Sequence, residues 1–259
     1  MCNFRPNGNS PLAGVILTLL LALPGSSIAR GVAIPQTERV AGLSQSQYVV
    51  RWWQWANNAP DGDKPYQDPT GSQCALNQSG DVWFLAGTDG TDDARRRCTM
   101  PAGKYIFLPV INMLSHSVPG GPITCEQAKA GAAANNEHLA EAQVLIDGQP
   151  VPEIANYRVR SPDCFDAFLN ATSLCQCKCQ HCTPASYFPA AADGYWLMLR
   201  PLAPGQHQIK VKARYDNPGS DLGDLEQVFE YQLQIEDKNQ KTQPEKPEQT
   251  PDSVFAMAD

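Results

Sequence analysis

Positive charge is scarce in this 259-residue chain: 20 Lys and Arg stand against 27 Asp and Glu, a formal net charge of −7. With no dense basic run there is no track for phosphates, and nucleic acid and anionic membrane are not expected partners. Long apolar runs are lacking as well. The longest, Leu12 to Leu23, falls short of the roughly 20 residues that span a bilayer. Catalytic signatures are also missing: there is no Gly-x-Ser-x-Gly, no phosphate-binding glycine-rich loop and no His-Glu-x-x-His. The hydrophobic fraction, 42 %, is too high for a disordered chain.

Glycine and proline are plentiful, 19 and 22 residues, which favours many short elements joined by turns. At the amino terminus a polar segment with Arg5 precedes the apolar run, and Pro24-Gly25-Ser26-Ser27-Ile28-Ala29 follows it. Ser27 and Ala29 occupy the −3 and −1 positions of a small-x-small cleavage site, so residues 1–29 are expected to be a signal peptide. The mature chain is then secreted or periplasmic and begins at Arg30, with no transmembrane segment. Residues 30–43 read as a linker. Residues 44–237 read as the folded domain, and the proline-bearing stretch 238–259 as a disordered tail.

Of nine cysteines, eight remain once Cys2 leaves with the signal, an even number that suits disulfides in an oxidising compartment. Cys74 and Cys98 flank the strand-like Val82–Ala86, and Cys125 and Cys164 flank the Val144–Val151 hairpin, so each pair is positioned to close a loop. The other four lie in Cys175-Gln-Cys177-Lys-Cys179-Gln-His181-Cys182. Two local disulfides are expected there. The alternative is a soft-metal site, with the four thiolates and His181 holding copper or zinc.

Leu43-Ser44-Gln45-Ser46-Gln47-Tyr48 opens a helix through a capping box, Ser44 with Gln47, and a staple, Leu43 with Tyr48. Its apolar face includes Trp52, Trp53 and Trp55. That cluster suits a helix docked on a sheet, or else a platform on which a sugar stacks. Val82–Ala86 and Tyr105–Ile111 read as buried strands, residues 112–123 as a loop carrying His116, and Thr124 as the cap of a second helix running to about Ala142. Asp147-Gly148 is a hairpin turn; Tyr157–Arg160 and Cys164–Leu169 read as strands. Tyr195–Leu199 is apolar on both faces and therefore central. Ile209–Tyr215 and Phe229–Ile235 alternate, with basic and acidic outer faces that predict antiparallel neighbours. The expected fold is mainly β: a two-layer antiparallel β-sandwich, of jelly-roll or immunoglobulin-like topology, with two short helices.

Several phrases in order carry a resemblance: Arg51-Trp52-Trp53-Gln54-Trp55-Ala56, Val82-Trp83-Phe84-Leu85-Ala86-Gly87-Thr88, Cys98-Thr99-Met100-Pro101-Ala102-Gly103-Lys104, Asp193-Gly194-Tyr195-Trp196-Leu197-Met198-Leu199 and Pro204-Gly205-Gln206-His207. Together, over about residues 44–236, the chain resembles a family of uncharacterised exported bacterial proteins. The resemblance implies a bacterial exported globular protein in which Cys74 and Cys98 belong together. It brings no activity with it, and the Cys175–Cys182 cluster departs from the family's pattern.

These readings favour a non-enzymatic module that binds a ligand or partner, carbohydrate at Trp52, Trp53 and Trp55 or another exported protein, without a cofactor. The rival reading is an extracellular hydrolase using loop carboxylates such as Asp92 and Asp93, with or without His116 between Ser115 and Ser117. A metal-handling protein built on Cys175–Cys182 is the third.

Overall fold

The computed structural model describes residues 31–60, 62–90, 93–169 and 187–237. The signal-peptide reading of 1–29, the tail reading of 238–259, Asp92, and the Cys175, Cys177, Cys179, His181 and Cys182 cluster all lie outside the described residues.

Two five-stranded sheets pack face to face as a mainly β, two-layer sandwich. The strands are β1 (Ala33–Ile34), β2 (Val82–Phe84), β3 (Ala94–Pro101), β4 (Tyr105–His116), β5 (Leu139–Ile146), β6 (Gln149–Pro150), β7 (Arg158–Arg160), β8 (Ala190–Leu199), β9 (Gly205–Tyr215) and β10 (Glu226–Glu236). The helices are α1 (Gln45–Asn57) and α2 (Cys125–Ala133). The first sheet runs β1-β8-β4-β2, with β7 also on β8; the second runs β3-β10-β9-β5-β6. Most neighbours are antiparallel, but β2 with β4 and β3 with β10 are parallel.

Period-two patterning explains the layers. On β9 and β10, Ile209, Val211, Ala213, Tyr215, Phe229, Tyr231, Leu233 and Ile235 all turn inward. The two strands pair antiparallel, as their wet faces predict, with Lys210 opposite Glu230. β8 is buried along its whole length. Tyr195, Leu197 and Leu199 face the second sheet, while Trp196 and Met198 face a third layer formed by α1.

The capping box at Ser44 starts α1 as expected. Trp52 meets Trp196 edge to face at 5.2 Å, and Trp196 stacks on Phe107 at 5.2 Å. Such aromatic pairs contribute about 0.5–1.5 kcal/mol each beyond their buried area. The indole N–H of Trp52 donates to Leu85 O at 2.9 Å and that of Trp55 to Leu76 O at 2.8 Å. Trp52 and Trp55 are thus core residues, and the platform reading fails for both.

Several other expectations are corrected. Of the stretch 30–43 read as a linker, the described part, 31–43, is tied to the fold: Ile34 sits in β1 on β8 and is fully buried, and Val40 is buried in the same cluster. Helix α2 stops at Ala133, because Asn135 and Asn136 turn inward to bond backbone rather than continue it, and β5 begins at Leu139. Residues 164–169 form no strand; Phe165 makes a single bridge to Ala190. His116 is on no loop: β4 extends to it. β3 was hidden because Arg96 occupies an inward position of its alternating pattern.

Asp68 organises the loop before β3. Its carboxylate accepts from the N–H groups of Thr70, Gly71 and Gln73, the last at 2.7 Å. Burial alone would raise its pKa, but these bonds outweigh it and hold the carboxyl below the usual range. A depressed folded-state pKa stabilises above the unfolded value, about 3.9, and that stabilisation is lost as pH falls through the folded value. Asp68→Asn is therefore expected to flatten the loss of melting temperature below about pH 4 relative to wild type, followed by thermal unfolding. Equal slopes in the two proteins would contradict this.

Candidate functional site

A cleft of about 260 Å³ opens where the C-terminal half of α1, the far end of β4 and the turn before β10 come together. Trp53, Tyr66 and Phe168 give it aromatic surface, Asn112, Thr88 and Gln227 give it polar groups, and Leu222 stands exposed among its lining residues.

Each wall has a local cause. Asn112 interrupts the apolar run of β4 at a position opposite Gly194 of β8. A Cβ on Gly194 would come within 2.6 Å of the Asn112 backbone, so glycine is what lets the amide lie there. Asn112 is only 9 % exposed and its Oδ1 has no hydrogen-bond partner among the described residues. Trp53 packs edge-on against Trp52 at 5.0 Å, and its buried Nε1 also lacks a described partner.

The back wall is Gly87 and Thr88. Gln227, inward-facing at the start of β10, accepts from the Thr88 N–H at 3.3 Å and takes the space that a side chain on Gly87 would fill. Buried Arg96 fixes this wall, donating from Nη1 to Ala86 O at 2.8 Å, Gly87 O at 2.9 Å and the Tyr231 hydroxyl at 3.1 Å. A buried guanidinium surrounded by carbonyls is a rigid clamp, because each donor lost would leave a polar group unsatisfied.

His116 closes the far side. Its Nδ1 lies 2.7 Å from Ser117 O, an atom that only accepts, so Nδ1 carries the hydrogen and Nε2 of the neutral ring is an acceptor. The ring sits edge-on to Phe168 at 5.3 Å and Tyr187 at 5.5 Å.

The expected catalytic groups are not brought together. Ser117 Oγ is occupied by the Ile123 backbone, and Ser115 Oγ lies against Gly131 of α2. Asp93 is exposed just ahead of β3, away from the cleft lining. Two other carboxylates, Glu137 and Glu141, are paired with Arg158 and Lys212. Cys74 is bonded to Cys98 and Cys125 to Cys164. Among the described residues no three His, Cys, Asp or Glu side chains are grouped to hold a metal ion.

Of the Trp cluster, Trp53 alone has an indole N–H without a described partner. Asn112 and Gln227 were missed, although each leaves a trace: an amide inside an apolar strand, and a glutamine on the dry parity of β10. Wider recesses exist, about 440 Å³ beside Arg51 and Asp81 and about 800 Å³ over the glutamines of β9 and β10. A third, of about 480 Å³ beside Arg158 and Arg160, has one lining residue with a buried side-chain atom that lacks a described partner, Gln36 Nε2; the first two have none, and the cleft has two such lining residues, Trp53 through Nε1 and Asn112 through Oδ1.

No protein-family model and no curated protein matches the chain. Among solved structures, the solution structure of amebosin aligns at 7 % identity and a TM-score of 0.19, covering 61 % of this chain and all of that one, a score too low to carry any argument.

Proposed function

We propose that the protein is an exported, non-enzymatic binding module that seats a small ligand in the cleft between α1 and β4. The observation that carries this reading is a pre-formed cleft walled by Trp53, Tyr66 and Phe168 and lined by Asn112, whose buried Oδ1 has no described partner. Leaving such a group unsatisfied costs about 1–3 kcal/mol, and a side-chain shift that turns it toward a donating ligand recovers that cost. The export signal expected in residues 1–29 and the two disulfides support an extracellular or periplasmic setting. A pre-formed concave site with few polar groups is the usual form of a small-molecule site.

The test is thermal unfolding of the full chain against panels of neutral sugars, carboxylic acids, amino acids and nucleosides. A ligand present at about 100 times its Kd should raise the melting temperature by roughly 5–10 °C. Trp53→Ala should abolish the shift. No stabilising compound in any panel, or a shift that survives both Trp53→Ala and Asn112→Ala, would overturn the proposal.

A further inference from the structure

The fold sets two distant turns of the chain against each other: Asp147-Gly148 between β5 and β6, and Pro204-Gly205-Gln206-His207 at the start of β9. Asp147 and Gly148 take φ values of 50° and 76°, the left-handed conformation of a two-residue hairpin turn. Asp147 extends the pairing of β5 with β9, its N–H donating to Gln208 O at 2.8 Å and its Oδ1 accepting from Gln208 N at 2.8 Å. Its other oxygen, Oδ2, lies 2.7 Å from His207 Nδ1. Across the ring, His207 Nε2 lies 2.9 Å from Ala203 O, in the connection between β8 and β9 that buries Leu202.

A carboxylate oxygen and a carbonyl oxygen only accept. A neutral imidazole carries one N–H, so it serves one of these oxygens and turns a lone pair toward the other. An imidazolium carries two and serves both. The side chain is 16 % exposed, so water does not freely replace a lost partner. The other charged groups around it have partners of their own. Arg97 of β3, which lines the same groove as Asp147 and His207, donates from Nε to Gln232 Oε1 at 3.3 Å. Arg200 of the connection pairs with Glu38 at 3.2 Å, and Glu230 of β10 accepts from Gln208 Nε2 and faces Lys210 at 3.8 Å.

We propose that His207 is a proton-operated latch between the Asp147 turn and the β8–β9 connection, closed when the ring is protonated and half-open when it is neutral. Opening transfers one ring proton to water and leaves that nitrogen's lone pair facing an oxygen; no other reactant is needed. The latch stands apart from the cleft and decides whether the end of the second sheet is tied at two points or one. The extra hydrogen bond belongs to the folded, protonated form. Its stabilisation is therefore present on the acid side of the ordinary histidine range, about 6.5, and is lost on the alkaline side.

Thermal unfolding of the full chain at about pH 5.5 and about pH 9, on either side of that range, tests this on wild type, Asp147→Asn and His207→Gln. Asparagine keeps Oδ1 for Gln208 N and tolerates the positive φ, but its amide donates where Asp147 Oδ2 accepts, so a neutral ring then makes both contacts. Glutamine at 207 does not titrate. The melting-temperature margin of wild type over each variant should be larger at the lower pH by roughly 3–10 °C. A margin that is the same at both pH values for either variant would overturn the latch. Should a variant not fold, ring ¹H–¹⁵N spectra of the wild type decide: both His207 ring hydrogens should be protected from exchange with water at the lower pH and one should be gone at the higher. Ring hydrogens that exchange at the lower pH as fast as those of free histidine would overturn the latch as well.

Discussion

Reducing both disulfides is expected to unfold the domain at room temperature or leave it at the edge of stability. Cys74–Cys98 closes a separation of 24 residues and Cys125–Cys164 one of 39, worth about 3.5 and 4 kcal/mol in the loop-entropy description. Their sum rivals the roughly 5–15 kcal/mol by which a domain is stable at all. The first bond ties the loop stabilised by Asp68 to the edge strand β3, and from that loop Gln78 reaches across to pair with both backbone groups of Phe84 on β2. The second ties the first turn of α2 to the segment that carries Phe165 and Ala167 under α1 and Phe168 into the cleft. Paired alanine replacements at each bond separate these effects from any contribution of Cys175–Cys182. Each pair should lower the melting temperature by roughly 7–15 °C, read by circular dichroism. A fully reduced protein melting within a few degrees of the oxidised one would contradict the account.

Asp193→Ala is expected to cost about 3–5 kcal/mol, the largest effect of any single substitution considered. Asp193 is 2 % exposed and sits on β8 at the end of the inter-sheet core. Its carboxylate accepts from Arg158 Nε at 2.9 Å, Arg158 Nη2 at 2.8 Å and Arg160 Nε at 2.9 Å, a forked geometry that fixes β7 on β8. Asp193, foremost by hydrogen bonding, and Glu137 hold the Arg158 guanidinium above its ordinary pKa; without Asp193 most of that support is lost, but a guanidinium is charged at neutral pH even at its ordinary pKa, so the cation remains. A half-buried cation without its main counterion is the source of the penalty. Behind it, Asn136 donates to the Asp193 carbonyl and receives the hydroxyls of Tyr195 and Tyr215, so any shift of β8 disturbs both tyrosines. Breaking the Lys129–Asp163 pair, whose side chains are exposed, should by contrast change stability by less than about 1 kcal/mol. Denaturant unfolding of the two variants makes the comparison. Equal effects would show that Asp193 holds nothing together.

How legible the molecule is from its sequence depended on how cleanly each segment repeats. β9 and β10 alternate without exception between Ile209 and Tyr215 and between Phe229 and Ile235, and their pairing followed from charge. Helix α1 announced itself through Ser44 and Gln47. β3 did not, since Arg96 breaks the inward set, and only the carbonyl cage around it explains why a guanidinium belongs there. Residues 125–142 carried a capping box at one end and no stop signal strong enough to overrule it; the inward bonds of Asn135 and Asn136 end the helix through tertiary contacts that no local pattern records. The cleft was half visible. Trp53 and His116 stood out by residue type, whereas Asn112 and Gln227 matter because of what lies opposite, Gly194 and Gly87, and such juxtapositions exist only once the strands pair.

The central claim, that the cleft lined by Trp53 and Asn112 seats a small ligand, is tested most directly by ¹H–¹⁵N correlation spectra of the indole and amide side chains. The N–H groups of Trp52 and Trp55 already donate to Leu85 O and Leu76 O and should stay in place when a compound that raises the melting temperature is added. The Trp53 indole and Asn112 side-chain signals should move together and saturate at one ligand per chain. Movement of other signals while those of Trp53 and Asn112 stand still would show that binding happens elsewhere and that the cleft is no site.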